Sequence, residues 1–301
     1  MSQTVQKLVR AGFTEQQAAT LEETYPEIAR GDRGKLKGFS WESSNPLAIH
    51  PYYFFHGFAG NQVAGDSLFF DLAIGNHGVR GANLTDAEMF ANAGYVTTDA
   101  PSNPYDVPIR LPNLNFDWAG GELLFIYWRG IAATPAAEVA IMGDGTATTT
   151  GNHGIQIRST TGGKAYVVLF GGDAAKVGSA TSATVFDATP HDFALFLDGQ
   201  GKNYLMYVDG VLDTVFSAGT FLPFNQAFIL DTLNSNTFNL GAAAKAPGVA
   251  TLPQAGAVLK TRTLAILRMP TTYPVPPVSA ITKACQYLRT NPTKLLLASD
   301  L

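Results

Sequence analysis

Hydrolysis by paired carboxylates needs two acids about 5–10 Å apart in one groove, one protonated and one ionised. On a β-strand that requires acids at i and i+2 or i+4. The nearest approach in this chain is Asp86-x-Glu88, but Thr85 and Glu88 form a capping box, which reads as a helix start. Asp192, Asp198, Asp209 and Asp213 fall at expected strand ends and turns, where Asp supports backbone geometry. No Gly-x-Ser-x-Gly elbow is present; Gly38-Phe39-Ser40-Trp41-Glu42 comes close and lacks the second glycine. The single cysteine, Cys285, sits on a helical stripe with Ile281 and Leu288 and reads as a small buried hydrophobe. None of the five histidines (His50, His56, His77, His153, His191) has zinc-site spacing. His77 and His153 stand in Asn-His-Gly strings that read as turns. Gly143-Asp144-Gly145 and Gly162-Gly163 read as hairpin turns, with no following helix or lysine to cradle phosphate. The expectation is a protein that is not an enzyme and carries no cofactor.

Sugar binding asks for an exposed aromatic platform beside amides or carboxylates. Trp41, Tyr52, Tyr53 and Trp118 are the candidates, with Phe54 and Phe55 in the same run, HPYYFFHGF. That run reads equally as a strand packed on the main domain or on another subunit. A calcium site gathers oxygen ligands from turns; Asp66, Asp71 and Asn76 are the cluster to test, though no metal is expected.

The elements that must position these residues are mostly strands. Residues 191–219 read as three strands in a meander, with Gly199-Gln200-Gly201 at one turn and Asp209-Gly210 at the next. Asp-Gly suits a two-residue type I′ hairpin, because both central residues must take positive φ. Phe193, Leu195 and Leu197 alternate with Ala194, Phe196 and Asp198, so both faces are apolar, as in a strand held between layers. Further strands are expected at 121–129, 137–142, 154–158, 165–170, 184–186, 228–230, 237–240 and 263–267. Spaced at short intervals with glycine signals between, they predict a mainly β, antiparallel sandwich rather than a βαβ fold. Three zones follow: a helical segment at 1–37, a jelly-roll sandwich at 38–274, and a C-terminal helix and tail at 275–301 behind Pro-rich VPPVS. The terminal helices are expected to serve docking or packing.

Four segments carry a family resemblance. The strand–YVDG–strand meander, GDSLFFDLAIGNHGVRG at 65–81, ELLFIYWRG at 122–130 with an inward Trp128, and TFNLGA at 237–242 occur in order. Together they resemble the laminin-G-like branch of the concanavalin A-like lectin/glucanase superfamily, over residues 65–290. That resemblance implies a jelly roll, and some members are glycosidases. The closing strand here, LAILR at 264–268, lacks the acid often found in the family, which puts a family-type calcium site in doubt. Jelly rolls with helical ends also resemble bacteriophage structural proteins.

Composition narrows the partners. A net charge of −4 with no basic cluster gives no footprint for nucleic acid. No apolar run is long enough to span a membrane. Residues 1–13 lack an apolar segment with a cleavage site, and one cysteine allows no intrachain disulfide; both fit synthesis in a reducing host cytoplasm. The preferred expectation is a non-enzymatic virion protein (a fibre, decoration or receptor-binding component) that contacts other virion proteins and copies of itself. The alternatives are a module binding host surface glycans and a polysaccharide depolymerase.

Overall fold

The computed structural model describes residues 50–56, 68–69, 78–80, 84–85, 87, 96–98, 109–111, 114, 116–118, 120–143, 152–172, 174–216, 222–223, 238–241, 258–272 and 274–290. The chain is mainly β: two antiparallel eight-stranded sheets and, among the described residues, one terminal helix of a full turn or more. The first sheet runs β1 (His50–His56), β16 (Leu259–Met269), β6 (Leu123–Ala132), β11 (His191–Asp198), β12 (Asn203–Val208) and β13 (Val211–Leu212). β4 (Val96–Thr97) adds to β16 and β14 (Leu222–Pro223) to β12. The second runs β10 (Ala174–Val177), β9 (Ala165–Gly172), β8 (Asn152–Ser159), β7 (Val139–Gly143), β15 (Phe238–Leu240), β5 (Ile109–Leu111), β3 (Gly78–Arg80) and β2 (Leu68–Phe69).

Register explains the core. Across the first sheet, Ile266, Ile126, Leu195 and Met206 oppose one another in one row, and Leu264, Trp128, Phe193 and Val208 in another. These rows face the second sheet, whose Ile155, Ile157, Val167, Leu169, Leu240 and Ile109 join them in one buried cluster. Trp128 is inward as expected; its ring meets Phe186 at 5.9 Å, and its Nε1 donates to Thr261 Oγ1 at 3.0 Å. The bond matters because a buried indole N–H left unpaired is costly.

The alternate row of the first sheet reads Ala265, Tyr127, Ala194, Tyr207, Leu212. Helix α1 (Val278–Thr290) lies on it: Thr282 Oγ1 donates to the Tyr207 hydroxyl at 3.4 Å, which donates to Val278 O at 3.4 Å. Ala280, Ile281, Ala284, Cys285 and Leu288 form its buried stripe, matching the 3.6-residue period of the sequence. The two-sided apolar pattern of β11 thus reflects a strand between layers, and seven of its eight residues are buried.

Both turns of the meander form as read. Asp209 and Gly210 take φ of 53° and 73°, the pair a type I′ turn demands. Gln200 and Gly201 amides donate to Asp198 Oδ1, each at 2.9 Å, closing the other turn.

Two readings are corrected. Residues 184–186 form no strand; the Val185 and Phe186 amides both donate to Gly163 O at 2.9 Å, which folds this segment over the β8–β9 turn. Asn152-His153-Gly154 is no turn but the start of β8, where His153 opposes Gly171. The N-terminal helical segment, the capping box at 85–88 beyond Thr85 and Ala87, and the strand at 228–230 lie outside the described residues.

Urea unfolding separates the two determinants. Leu195→Ala, which empties a core-facing site, is expected to cost about 3 kcal/mol. Gly210→Ala, which has space beside Arg289 and Gln286 but a φ of 73°, is expected to cost about 1 kcal/mol. Equal losses at both positions would contradict this assignment.

Candidate functional site

Of the sugar- and calcium-binding candidates, Trp118 is the one whose side chain is described, and its reading as a sugar platform is corrected. Its relative exposure is 1%, so it offers no face to a sugar. It packs edge-on to Phe116 at 6.3 Å, with Lys202 Nζ 5.2 Å from its ring centroid and bonded to its carbonyl. Tyr52 and Tyr53 lie in β1, which pairs with β16, so the HPYYFFHGF run is a sheet strand; their side chains, Trp41, Asp66, Asp71 and Asn76 lie outside the described residues. Among the described residues no group of three His, Cys, Asp or Glu is placed to hold a metal ion.

The structure assembles instead a charged seam where α1 meets the first sheet. Arg289, in the last turn of α1, reaches Asp209 Oδ1 at 2.6 Å and Asp192 Oδ2 at 3.3 Å. Arg129 of β6 approaches Asp192 at 3.7 Å and donates to the Arg289 carbonyl, satisfying a helix-end acceptor. Asp209 Oδ1 also accepts the Asp192 amide at 3.1 Å. His191 joins at 2.8 Å to Asp209 and 3.2 Å to Asp187, whose carboxylate takes the Thr189 hydroxyl at 2.6 Å.

Electrostatics follow from these contacts. Burial lifts the Asp192 carboxyl above its usual range despite the Arg289 and Arg129 charges. Burial also opposes ionisation of Asp209, yet the Asp192 amide, His191 and Arg289 outweigh it and hold Asp209 low. For His191, burial disfavours the charged ring, but Asp209 and then Asp187 raise its pKa overall. The Tyr127 hydroxyl lies near Asp192, fully buried and without a well-formed hydrogen bond, and burial drives its pKa far up.

Two further polar groupings stand apart. Asp213 accepts the Ser182 amide and hydroxyl at 2.9 Å each, the Val215 amide at 3.0 Å and the Ala183 amide at 3.1 Å. On the outward face of the second sheet, Arg110, Asn239, Gly143, Gln156 and Val168 oppose one another strand by strand. Next to that row, Arg158 bridges Glu138 at 2.7 Å and Gln156 at 2.7 Å, opposite Tyr166. Burial, then Glu138, pushes the Tyr166 hydroxyl up to about 12. Arg110 and Glu138 are exposed, whereas Gln156 and Asn239 are buried.

Sequence reasoning placed Asp192, Asp198, Asp209 and Asp213 at strand ends and turns, where the structure has them, but it did not foresee the seam. Its members come from positions 129, 187, 191, 192, 209 and 289; apart from the Asp187–His191–Asp192 stretch, no local spacing links them.

No family model matches the sequence, and neither does any curated protein. Among solved structures, a Trypanosoma rangeli sialidase aligns at 10% identity over 79% of this chain and 32% of that one, with a TM-score of 0.46. The Ruminococcus gnavus IT-sialidase CBM40 aligns at 17% identity over 50% of this chain and 77% of that one, at 0.36. A botulinum neurotoxin serotype D binding domain aligns at 11% identity over 79% and 53%, at 0.48. The chain spans about a third of the length of the sialidase.

Two outcomes check the polar assignments. Asp213→Ala strands three amides and is expected to cost about 2–3 kcal/mol in urea unfolding. For His191, a raised folded pKa means its stabilisation is full below about 6.5 and is lost as pH rises through the folded value. The stability gap between the parent and His191→Gln should therefore shrink by roughly 0.5 kcal/mol from pH 5.5 to 9, small because the pair is partly exposed. A gap that widens with pH overturns this.

Proposed function

We propose that this chain is a non-enzymatic structural protein of a bacteriophage virion, a fibre, decoration or receptor-binding component, built on a lectin-like sandwich and assembling with other virion proteins and with copies of itself. The observation that carries the non-catalytic part is the commitment of the buried carboxylates among the described residues. Asp213 and Asp198 are occupied by backbone amides, and Asp192 and Asp209 by arginines and a histidine. A hydrolytic pair needs one acid free to donate a proton and another free to attack or activate water. Here Asp192 and Asp209, both reached by Arg289, are tied into the joint between helix and sheet. The virion part rests on the sequence: lectin-type β architecture whose single cysteine allows no intrachain disulfide.

The docking role expected of the C-terminal helix changes. With its apolar stripe buried on its own sheet, α1 as docked has no apolar face left for a partner. Attachment in this reading falls to other surfaces, and symmetric contacts between copies are the ordinary solution for particle proteins.

A second reading, glycan recognition, is favoured by the polar outward face of the second sheet, where Arg110 and Glu138 are exposed beside the Arg158–Gln156–Tyr166 group. Guanidinium and carboxylate groups are apt partners for sugar hydroxyls.

Mass spectrometry of purified particles is expected to detect the chain at a stoichiometry matching a symmetric site. Consistent absence from particles ends the virion reading. On a glycan array the recombinant protein should bind only if the second reading holds, and Arg110→Ala should then reduce the signal at least tenfold. Release of reducing ends from capsule or cell-wall polymer would refute the non-enzymatic claim.

A further inference from the structure

The joint between α1 and the first sheet combines a small apolar stripe with unfavourable burial of polar groups. Four observations bear on how it behaves. The helix is connected to β16 through residues 270–277, which include Pro270, Pro274, Pro276 and Pro277, and no strand hydrogen bonds run through the described part of that connection. The Tyr127 hydroxyl beneath it is fully buried without a well-formed hydrogen bond. Asp192 is a carboxylate taken largely out of water at the same joint. Against these, Arg289 grips Asp192 and Asp209, and Arg129 holds the Arg289 carbonyl.

Undocking the helix would rehydrate both Tyr127 and Asp192, recovering solvation that docking removed. It would leave intact the ladders among β16, β6, β11 and β12, which pair along most of their lengths. Sub-global opening follows such weak seams. We propose that α1 is a latch: a third layer that opens as a unit from the folded sandwich, held shut by the Arg289 clamp on Asp192 and Asp209. Opening bares the row formed by Tyr127, Ala194 and Tyr207. This inference concerns the joint alone and stands or falls independently of the virion reading.

Cys285 supplies the readout. It is the chain's single cysteine, it is 1% exposed, and it lies on the stripe that faces the sheet. Its rate of reaction with a soluble aromatic disulfide, divided by the rate for the urea-unfolded chain at the same pH, measures opening. In parallel, global unfolding is followed by tryptophan fluorescence. The expected result is labelling of the full chain at least tenfold faster than global unfolding allows, with little dependence on low urea. Arg289→Gln should speed labelling about tenfold while the tryptophan transition stays cooperative. Tyr127→Phe, which keeps the ring and deletes a buried hydroxyl that makes no well-formed hydrogen bond, should slow it about threefold. Labelling that tracks global unfolding in the parent, or two variants that both match the parental rate, overturns the latch. Should Arg289→Gln not fold, the Tyr127→Phe rate decides alone.

Discussion

Burial of the first sheet on both of its faces is the constraint from which the other features follow. A sandwich sheet ordinarily shows one face to water and alternates apolar with polar residues. Here β6 is buried at its first six positions, LLFIYW, and the middle of β16 is buried without interruption. One face is satisfied by the second sheet. The other requires a cover, and α1 supplies part of it, laying Ile281, Ala284, Cys285 and Leu288 over the tyrosine–alanine row. Ala194 and Ala265 flank Tyr127 in that row, and their small side chains leave room for a helix to approach.

Covering a sheet with a helix has electrostatic consequences at the rim. Asp192 and Asp209 sit where β11 begins and where the β12–β13 turn reverses, positions fixed by the meander rather than by the helix. Once α1 closes over them, unpaired carboxylates there would be strongly destabilising. Arg289 and Arg129 neutralise them, and the last turn of the helix gains a cation and a carbonyl partner in the same contacts. The seam is therefore a by-product of the three-layer arrangement, and it gives the acids structural work to do. Asp213 does the equivalent at the other end of the meander, where it gathers the 182–183 and 215 amides and so positions the Val185–Phe186 segment against the core.

How much of this was legible depended on range. The meander, the Asp-Gly turn and the helical stripe were readable because each is set by neighbours in sequence: alternation for strands, positive φ for the turn, a 3.6-residue period for α1. The inward Trp128 came from the resemblance of ELLFIYWRG to a family strand, because the unbroken apolar run LLFIYW does not by itself say which face is inward. Trp118 was misjudged because residue type alone does not say which way a ring points; that is decided by what it meets, its neighbour Phe116 and the distant Lys202. Residues 184–186 carry β-prone side chains, yet a single carbonyl, Gly163 O, takes both amides and no strand lies alongside. His153 looked like a turn residue because Asn and Gly flank it, and pairing with β9 overrode that local preference. The seam was illegible because its ion pairs join residues as far apart as 97 positions in sequence.

The central claim is that β16, β6, β11 and β12 form the rigid middle of three layers. Amide hydrogen exchange, resolved by strand, tests it most directly. The expected result is that the amides of Leu124–Trp128, Phe193–Leu197 and Leu264–Leu267 exchange only through global unfolding and share one free energy. Exchange in these strands as fast as in β10 or α1, well below the global value, would contradict it.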